Sequence, residues 1–214
     1  MKPDATPVRK PRQDGIRTRK AILLEAVSLA TVEGLEGLSI GELAKALGIS
    51  KSGLYAHFGS KEGLQLATID EAERIFNLEV IDPASDVPGP GLPRLLTLCD
   101  RYFEHLRRHT FPGGCFFASA ALEMGTRPGP VKDRVRAFQQ RFTGLILQYA
   151  QQAQALDQLP AGEDIPLLVF ELNGIILAAN ANFVMTDDPA TLDMAQRAVR
   201  RRLGVDADST PPSK

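Results

Sequence analysis

The apolar residues of this 214-residue chain recur three and four positions apart almost from end to end. Residues with this spacing lie on one side of an α-helix, whereas a half-buried strand needs alternation at every second position. No strand-like alternation runs through the sequence, and prolines and glycines divide the helical pattern into segments. The sequence therefore predicts an all-α fold of about nine helices.

Charge divides the chain into a basic front end and an acidic remainder. Residues 1–61 hold ten Lys and Arg against six Asp and Glu, and the rest holds fifteen against twenty. This asymmetry indicates that only the front end meets a polyanion. We predict a disordered basic tail over residues 1–15, a helix-turn-helix domain over 16–61, a helical body over 62–204 and a disordered tail over 205–214. The Pro- and Gly-rich segment 82–93 is the clearest linker.

Composition argues against several other classes of protein. A hydrophobic fraction of 43% supports a buried core. No run reaches the roughly 18 apolar residues of a membrane span, and the basic start lacks the apolar stretch of a secretory signal. Cys99 and Cys115 have no disulfide or zinc spacing, and no catalytic constellation stands out. We expect a cytoplasmic protein that does not contact membranes and needs no cofactor or metal.

Two short helices between Ser39 and Phe58 carry the strongest functional signal. Ser39 and Glu42 have the spacing of a capping box, Gly48 ends the first helix, and Ser50 and Ser60 can cap the helices that follow. Apolar residues at Leu43, Leu47, Ile49 and Leu54 can lock the pair together. Such a unit sets its second helix in the DNA major groove. On periodicity alone, a plain helical hairpin in an all-α core is an equally good interpretation.

The order and spacing of these residues favour the first interpretation. Thr18-Arg19, the stretch from Ser39 to Ala44, the stretch from Leu47 to Phe58 and Lys61-Glu62-Gly63-Leu64 resemble the DNA-binding domain of the tetracycline-repressor (TetR) family. The match covers about residues 17–66. The resemblance implies an N-terminal three-helix DNA-binding head, a C-terminal ligand-binding and dimerisation body, and repression relieved by a small molecule.

Carried onto this sequence, the resemblance implies a set of DNA contacts. Thr18 and Ser39 would bind phosphates at helix starts, and Tyr55, His57 and Lys61 would bind further phosphates. Lys51 and Ser52 would lie nearest the base edges. The chain departs from the family at Gly53, where Thr or Ser is common, so one hydroxyl contact is absent. The basic tail is either an arm that enters the minor groove or a solvated segment, and its basic residues are Arg9, Lys10, Arg12, Arg17 and Arg19.

The resemblance also implies a ligand pocket in the body, whose helices supply an aromatic-rich set of residues. The candidate ligand-binding residues are Cys99, Tyr102, Phe103, Phe116, Phe117, Met124, Phe138 and Phe142. An ordinary packed core is the alternative. Cys115 is either a redox sensor at a helix start or, more commonly, a buried thiol. His105 and His109 have a spacing that can bind metal but lack a third ligand, so we expect no metal site.

The segment from Ile165 to Met185 is apolar around most of its circumference, so it requires burial on every side. A second copy of the chain can supply that burial through a four-helix bundle of this helix and the last one. The predicted dimer interface consists of Leu168, Leu172, Ile175, Ile176, Ala179, Phe183, Leu192, Ala195 and Val199. The alternative is a central core helix of a monomer.

These interpretations converge on a ligand-responsive transcriptional regulator. We expect a repressor that binds a palindromic double-stranded DNA operator as a homodimer and is released by a small hydrophobic effector. The alternative is a cytosolic helical small-molecule-binding protein with a vestigial DNA head.

Overall fold

The structure, a computed structural model, describes residues 11–205, and every regular element in that range is helical. The elements are α1 (Pro11–Gly37), α2 (Ile40–Leu47), α3 (Lys51–Phe58), α4 (Lys61–Phe76), a π-helical turn (Asn77–Ile81), α5 (Asp82–Ser85), α6 (Leu92–Arg107), α7 (Phe116–Met124), α8 (Pro130–Ala155), α9 (Ile165–Thr186) and α10 (Pro189–Arg202). Because α4, the π turn and α5 follow one another without a break, the described chain forms nine helical rods. The all-α prediction is confirmed.

Helix α1 begins earlier than the sequence predicts. It starts at Pro11, so residues 11–15 are helical and do not belong to a disordered tail. Proline suits the first turn of a helix because its φ is already helical and its missing N–H has no partner there to lose. Gly34, with φ 79° and ψ 160°, interrupts the helix at the predicted position. Residues 1–10, with Arg9 and Lys10, and residues 206–214 lie outside the described residues.

Three serines begin the three helices that follow α1. Ser39, Ser50 and Ser60 each accept a hydrogen bond from the backbone N–H three residues further on, at 3.0, 3.1 and 2.9 Å. These predicted caps are confirmed, and each satisfies one of the free N–H groups of its helix start. The capping box is only half formed, because the Glu42 carboxylate accepts from the Ser39 hydroxyl at 3.1 Å and not from the Ser39 backbone N–H.

Two hydrophobic clusters form the interior, and α4 contributes to both. The smaller one joins α1 to α4 and contains Leu43, Leu54 and Leu64. The larger one fills the body and includes Phe76 at the end of α4. Ala84 of α5 belongs to the same large cluster, so the predicted linker 82–93 is a connection inside the body. It includes a helical turn, and α6 starts at its end.

Candidate DNA interface and ligand cavity

The second helix of the helix-turn-helix presents a polar face to solvent. Leu54 is fully buried in the small cluster and orients α3, while Lys51, Ser52, Tyr55 and His57 are exposed. Gly48 permits the tight turn before α3 because its φ of 65° is left-handed. The predicted recognition helix therefore has its apolar side inward and its polar side outward.

Lys51 and Ser39 both lie beside Gly41, in the first turn of α2. A Cβ added at Gly41 would lie 3.4 Å from Lys51 Nζ and 3.9 Å from Ser39 Oγ, so both side chains flank this glycine. The first turn of a helix carries partial positive charge and attracts anions. Lys51 therefore lies near the helix start at which Ser39 is predicted to bind a phosphate, and its predicted contact with base edges stays a prediction.

Thr18 does not lie at a helix start. Because α1 begins at Pro11, Thr18 is exposed about two turns into the helix, where the backbone N–H groups are used within the helix. The prediction placed Thr18 at a helix start, where backbone N–H groups could help it bind a phosphate, and that placement is wrong. The early start of α1 was not visible in the sequence because the three prolines of the tail suggested disorder.

Lys61 has a partner within the protein. Its ammonium donates to the Glu36 backbone oxygen at 2.6 Å and to the Glu36 carboxylate at 3.1 Å. The hydrogen bond from Lys61 holds the pKa of Glu36 below its ordinary value, with a smaller contribution from the charge of Arg127. The predicted phosphate contact therefore competes with a contact that already exists in the free protein.

The same α1–α2 junction is attached to the body by α7. The Glu123 carboxylate accepts from the backbone N–H groups of Leu35 and Glu36, both at 2.8 Å. At the other end of α7, the Gly113 N–H donates to the Thr31 hydroxyl at 3.1 Å. These contacts tie the segment that precedes α2 to a helix of the body.

A cavity of about 510 Å³ lies in the body between α4, α6, α7, α8 and α9. Its lining consists of Phe76, Tyr102, Cys115, Phe117, Ala118, Ala121, Leu122, Phe138, Gln139, Phe142, Thr143, Pro166, Val169, Phe170, Asn173, Ile176 and Leu177. None of these described residues is charged. The Phe117 and Phe138 rings stack at 3.4 Å, and the Phe76 ring packs edge-on against both.

The sequence identified part of this cavity. Tyr102, Phe117, Phe138 and Phe142 line it, whereas the predicted ligand-binding residues Cys99, Phe103, Phe116 and Met124 are buried in the surrounding core and do not. All eight are apolar or aromatic residues of predicted helices, and the sequence does not reveal which of their side chains face space and which face a neighbour. The contribution of α9 was missed because its apolar excess was assigned to the dimer.

Cys115 lines the cavity as a buried thiol. Burial raises its pKa, although hydrogen bonds from the start of α7 and from Tyr102 oppose that rise. The group therefore stays protonated near neutral pH, which favours the structural interpretation over a redox sensor. Burial raises the pKa of Cys99 to about 12.

His105, in α6, and His109, just after it, contact different partners. His105 is buried, and its Nδ1 lies 2.7 Å from the Glu79 carboxylate, which also accepts from Thr110. His109 is exposed beside Asp187. The described residues contain no group of three metal-ligating side chains.

The predicted dimer residues face the interior of their own chain. Leu168, Leu172, Ile176, Ala179, Phe183, Leu192, Ala195 and Val199 are buried in the large cluster, and Ile175 packs against it. The dimer interface stays a prediction, and within the chain α6, α8 and α10 already cover this side of α9. The exposed apolar side of α9 carries a different set, which includes Leu167, Phe170, Leu177, Val184 and Met185.

Helix α9 is the one described helix long and apolar enough to cross a membrane by length and composition. Within the chain it packs against α6, α8 and α10 along one side.

Comparison with known families agrees with the two-part architecture. The model of the tetR family of bacterial regulatory proteins matches residues 22–68, which contain the three serine-capped helix starts. The model of the tetracyclin repressor-like C-terminal domain matches residues 91–199, half of the chain. This chain belongs to the TetR family. It is accordingly a DNA-binding, ligand-responsive transcriptional regulator.

Relatives of this TetR-family regulator include named regulators. The HTH-type transcriptional repressor ComR of Escherichia coli K12 is 26% identical over 168 residues, which is 74% of this chain and 75% of ComR. The HTH-type transcriptional regulator AcrR of Shigella flexneri is 39% identical over 56 residues, only 26% of either chain. The longer match therefore spans head and body, and the shorter one is local.

Solved structures share the fold. A TetR regulator from Chloroflexus aurantiacus is 22% identical with a TM-score of 0.81, over 90% of this chain and 96% of that one. AibR, solved with isovaleryl coenzyme A and operator DNA, is 23% identical with a TM-score of 0.68, over 86% and 96%.

Proposed function

We propose that this regulator is a cytoplasmic homodimer that represses transcription at a roughly palindromic operator and is released by a small uncharged hydrophobic effector. The observation that carries the proposal is the presence, in one chain, of an exposed polar recognition helix and an uncharged aromatic cavity connected to it through α7. Two symmetry-related heads would contact two half-sites.

The proposal gives the head residues different roles. Ser39 and Lys51, which flank Gly41, would share one phosphate. Tyr55 and His57 would donate to further phosphates, and Ser52 would reach a base edge. Phosphate contacts set register and affinity, whereas base contacts set sequence preference.

The cavity supports an uncharged, largely apolar effector. A charged ligand would have to lose its hydration without a charged partner, because none of the described lining residues is charged. The aromatic side chains Phe117, Phe138 and Phe142 in the lining favour an apolar ligand, including an aromatic one. Tyr102, Gln139 and Asn173 supply polar atoms that can orient it.

The dimer is assigned to the exposed side of α9. Met185 is 83% exposed and Phe170 is 76% exposed. A continuous exposed surface of large apolar side chains usually marks a contact with another protein. The carrier with a vestigial head is less well supported, because such a protein has no need of the exposed phosphate donors Tyr55, His57 and Lys61.

The test measures DNA binding by fluorescence anisotropy on the DNA flanking the regulator's own gene and on random DNA, at several salt concentrations. Tyr55→Phe should weaken binding to both DNAs by a similar factor, whereas Ser52→Ala should reduce only the preference between them. Arg136→Ala, an exposed charge change on α8, is the control. Unchanged binding in both head variants would contradict the assigned interface.

The effector is tested by screening uncharged aromatic compounds for thermal stabilisation and adding each hit to the DNA complex. A true effector should release DNA, and Phe138→Ala should weaken both effects together. A hit that stabilises the protein without releasing DNA would contradict the regulatory role of this cavity.

A further inference from the structure

The few polar side chains of the cavity lining decide which polar atoms of a ligand find a partner. Among the described lining residues, the polar ones are Tyr102, Cys115, Gln139, Thr143 and Asn173. The rest of the described lining is apolar, so a ligand group that faces one of these side chains has no water to replace a missing hydrogen bond. The hydrogen bonds that they already make within the protein therefore restrict what they can offer a ligand.

The two side-chain amides leave their oxygens for a ligand. Gln139 donates from Nε2 to the Phe117 backbone oxygen at 2.9 Å, and Asn173 donates from Nδ2 to the Val169 backbone oxygen at 2.8 Å. Neither amide oxygen has a hydrogen-bond partner among the described residues. In each amide the nitrogen is the end that is held against helix backbone, so the oxygen, which only accepts, is the unbound end.

The Tyr102 hydroxyl is held in a similar way. It donates to the Cys115 thiol, and Tyr102 is only 2% exposed. A hydroxyl has one proton, so Tyr102 has only lone pairs left for a ligand. Thr143 can donate as well as accept, and a thiol is a weak hydrogen-bonding group, so neither reverses this bias. The polar groups that are fixed in place in this cavity are thus acceptors.

We propose that the effector is an uncharged, largely apolar compound that carries a hydrogen-bond donor, such as a phenol or an aniline, and that Gln139 and Asn173 select it. The inference rests on the proposed effector cavity and adds the chemistry of its ligand. The O–H or N–H of such a compound would donate to an amide oxygen. An ether, ester or ketone of similar size brings only acceptors, so the amide oxygens would lose their water without gaining a partner.

The test compares 2-naphthol with 2-methoxynaphthalene, which has the same rings and oxygen but no O–H. Equilibrium dialysis against the full chain measures both dissociation constants at neutral pH, where 2-naphthol is uncharged. The ether is the more apolar compound, so burial alone would favour it. We expect the opposite order, with 2-naphthol binding about fivefold to tenfold more tightly, which is the usual effect of one net hydrogen bond.

The double variant Gln139→Met, Asn173→Leu removes both amide oxygens with little change in side-chain size. In this variant the preference for 2-naphthol should disappear. Asn182→Leu is the matched control, because Asn182 donates to the Ala178 backbone oxygen at 2.8 Å in the same helix but is exposed and does not line the cavity. It should keep the wild-type preference. Circular dichroism checks that both variants remain folded.

Equal or tighter binding of 2-methoxynaphthalene to the wild type would overturn the inference and leave the proposed effector cavity intact, and this comparison needs no variant. A preference for 2-naphthol that survived in the folded double variant would overturn the role of Gln139 and Asn173. If 2-naphthol were preferred but did not release DNA, the selection of donors would stand and the proposed regulatory role would not. Failure of the wild type to bind either compound or any screened compound would overturn both proposals.

Discussion

At the scale of single residues, one exposed ion pair of the head competes with DNA binding. Lys61 donates to Glu36 in the free protein, and both side chains are more than 40% exposed. A DNA phosphate would therefore have to replace a carboxylate that is already in contact. Exposed ion pairs are worth up to about 1 kcal/mol, so this competition modulates affinity and does not abolish binding.

Glu36→Gln should tighten binding to specific and random DNA alike, by up to about fivefold. In this variant Lys61 does not have to give up a charged partner in order to bind a phosphate. Lys61→Ala should weaken binding and reduce the slope of log affinity against log salt by about one per site. Fluorescence anisotropy across a salt series measures both.

Glu33→Gln is the matched control, since it removes an exposed carboxylate one turn earlier on α1. If it tightened DNA binding as much as Glu36→Gln, the gain would reflect general charge and not release of Lys61.

At the scale of elements, α7 connects the cavity to the head. Phe117, Ala118, Ala121 and Leu122 line the cavity, and the next residue, Glu123, binds the backbone of the α1–α2 junction. A ligand that displaces α7 would therefore move an acceptor on which the start of the helix-turn-helix depends. Contact alone does not establish coupling, which must be measured as a change in affinity.

Glu123→Ala should reduce the ratio of DNA dissociation constants with and without effector towards one, while the effector still binds. The reason is that two backbone N–H groups lose their shared acceptor, so the junction no longer follows α7. Anisotropy measures the ratio and a thermal shift reports effector binding. Glu104→Ala, a surface carboxylate of α6 paired with Arg108, should keep the wild-type ratio. An undiminished ratio in Glu123→Ala would exclude this route.

At the scale of the whole molecule, stability should depend on the contact between buried His105 of α6 and half-buried Glu79 of the π turn. Burial lowers the pKa of His105, and the neighbouring Glu79 only partly opposes this. Although burial raises the pKa of Glu79, the hydrogen bonds from His105 and Thr110 outweigh it, and the net shift is downward. Both groups therefore bind protons more readily in the unfolded chain than in the folded one.

The free energy of unfolding should accordingly fall as the pH drops below about 6.5, where an unfolded histidine takes up a proton and the folded His105 does not. The loss cannot exceed about 1.4 kcal/mol per pH unit for each group. Urea unfolding at pH 7.5 and 5.5 measures it. His105→Gln should flatten this dependence, and His109→Gln, at an exposed site, serves as the control. An equal pH dependence in His105→Gln and the wild type would show that other groups govern acid sensitivity.

The sequence by itself determined the features that depend on near neighbours. The serine caps, the breaks at Gly34 and Gly48 and the inward side of α3 follow from hydrogen bonds and spacing within a few residues. The TetR-family head was recognisable for the same reason, because its residues lie in one short continuous stretch. Four of the cavity residues were also found, since aromatic side chains on helices of the body tend to meet in its interior.

Only the tertiary structure decided features that join distant parts of the chain. Spacing showed that α9 is apolar all round, but not that Leu172 faces the chain's own core while Phe170 faces the cavity mouth. Nor does any local pattern pair Lys61 with Glu36 or Glu123 with the α1–α2 junction. These contacts depend on how separate helices are rotated and packed against one another, and a helix of given apolar spacing fits several such arrangements.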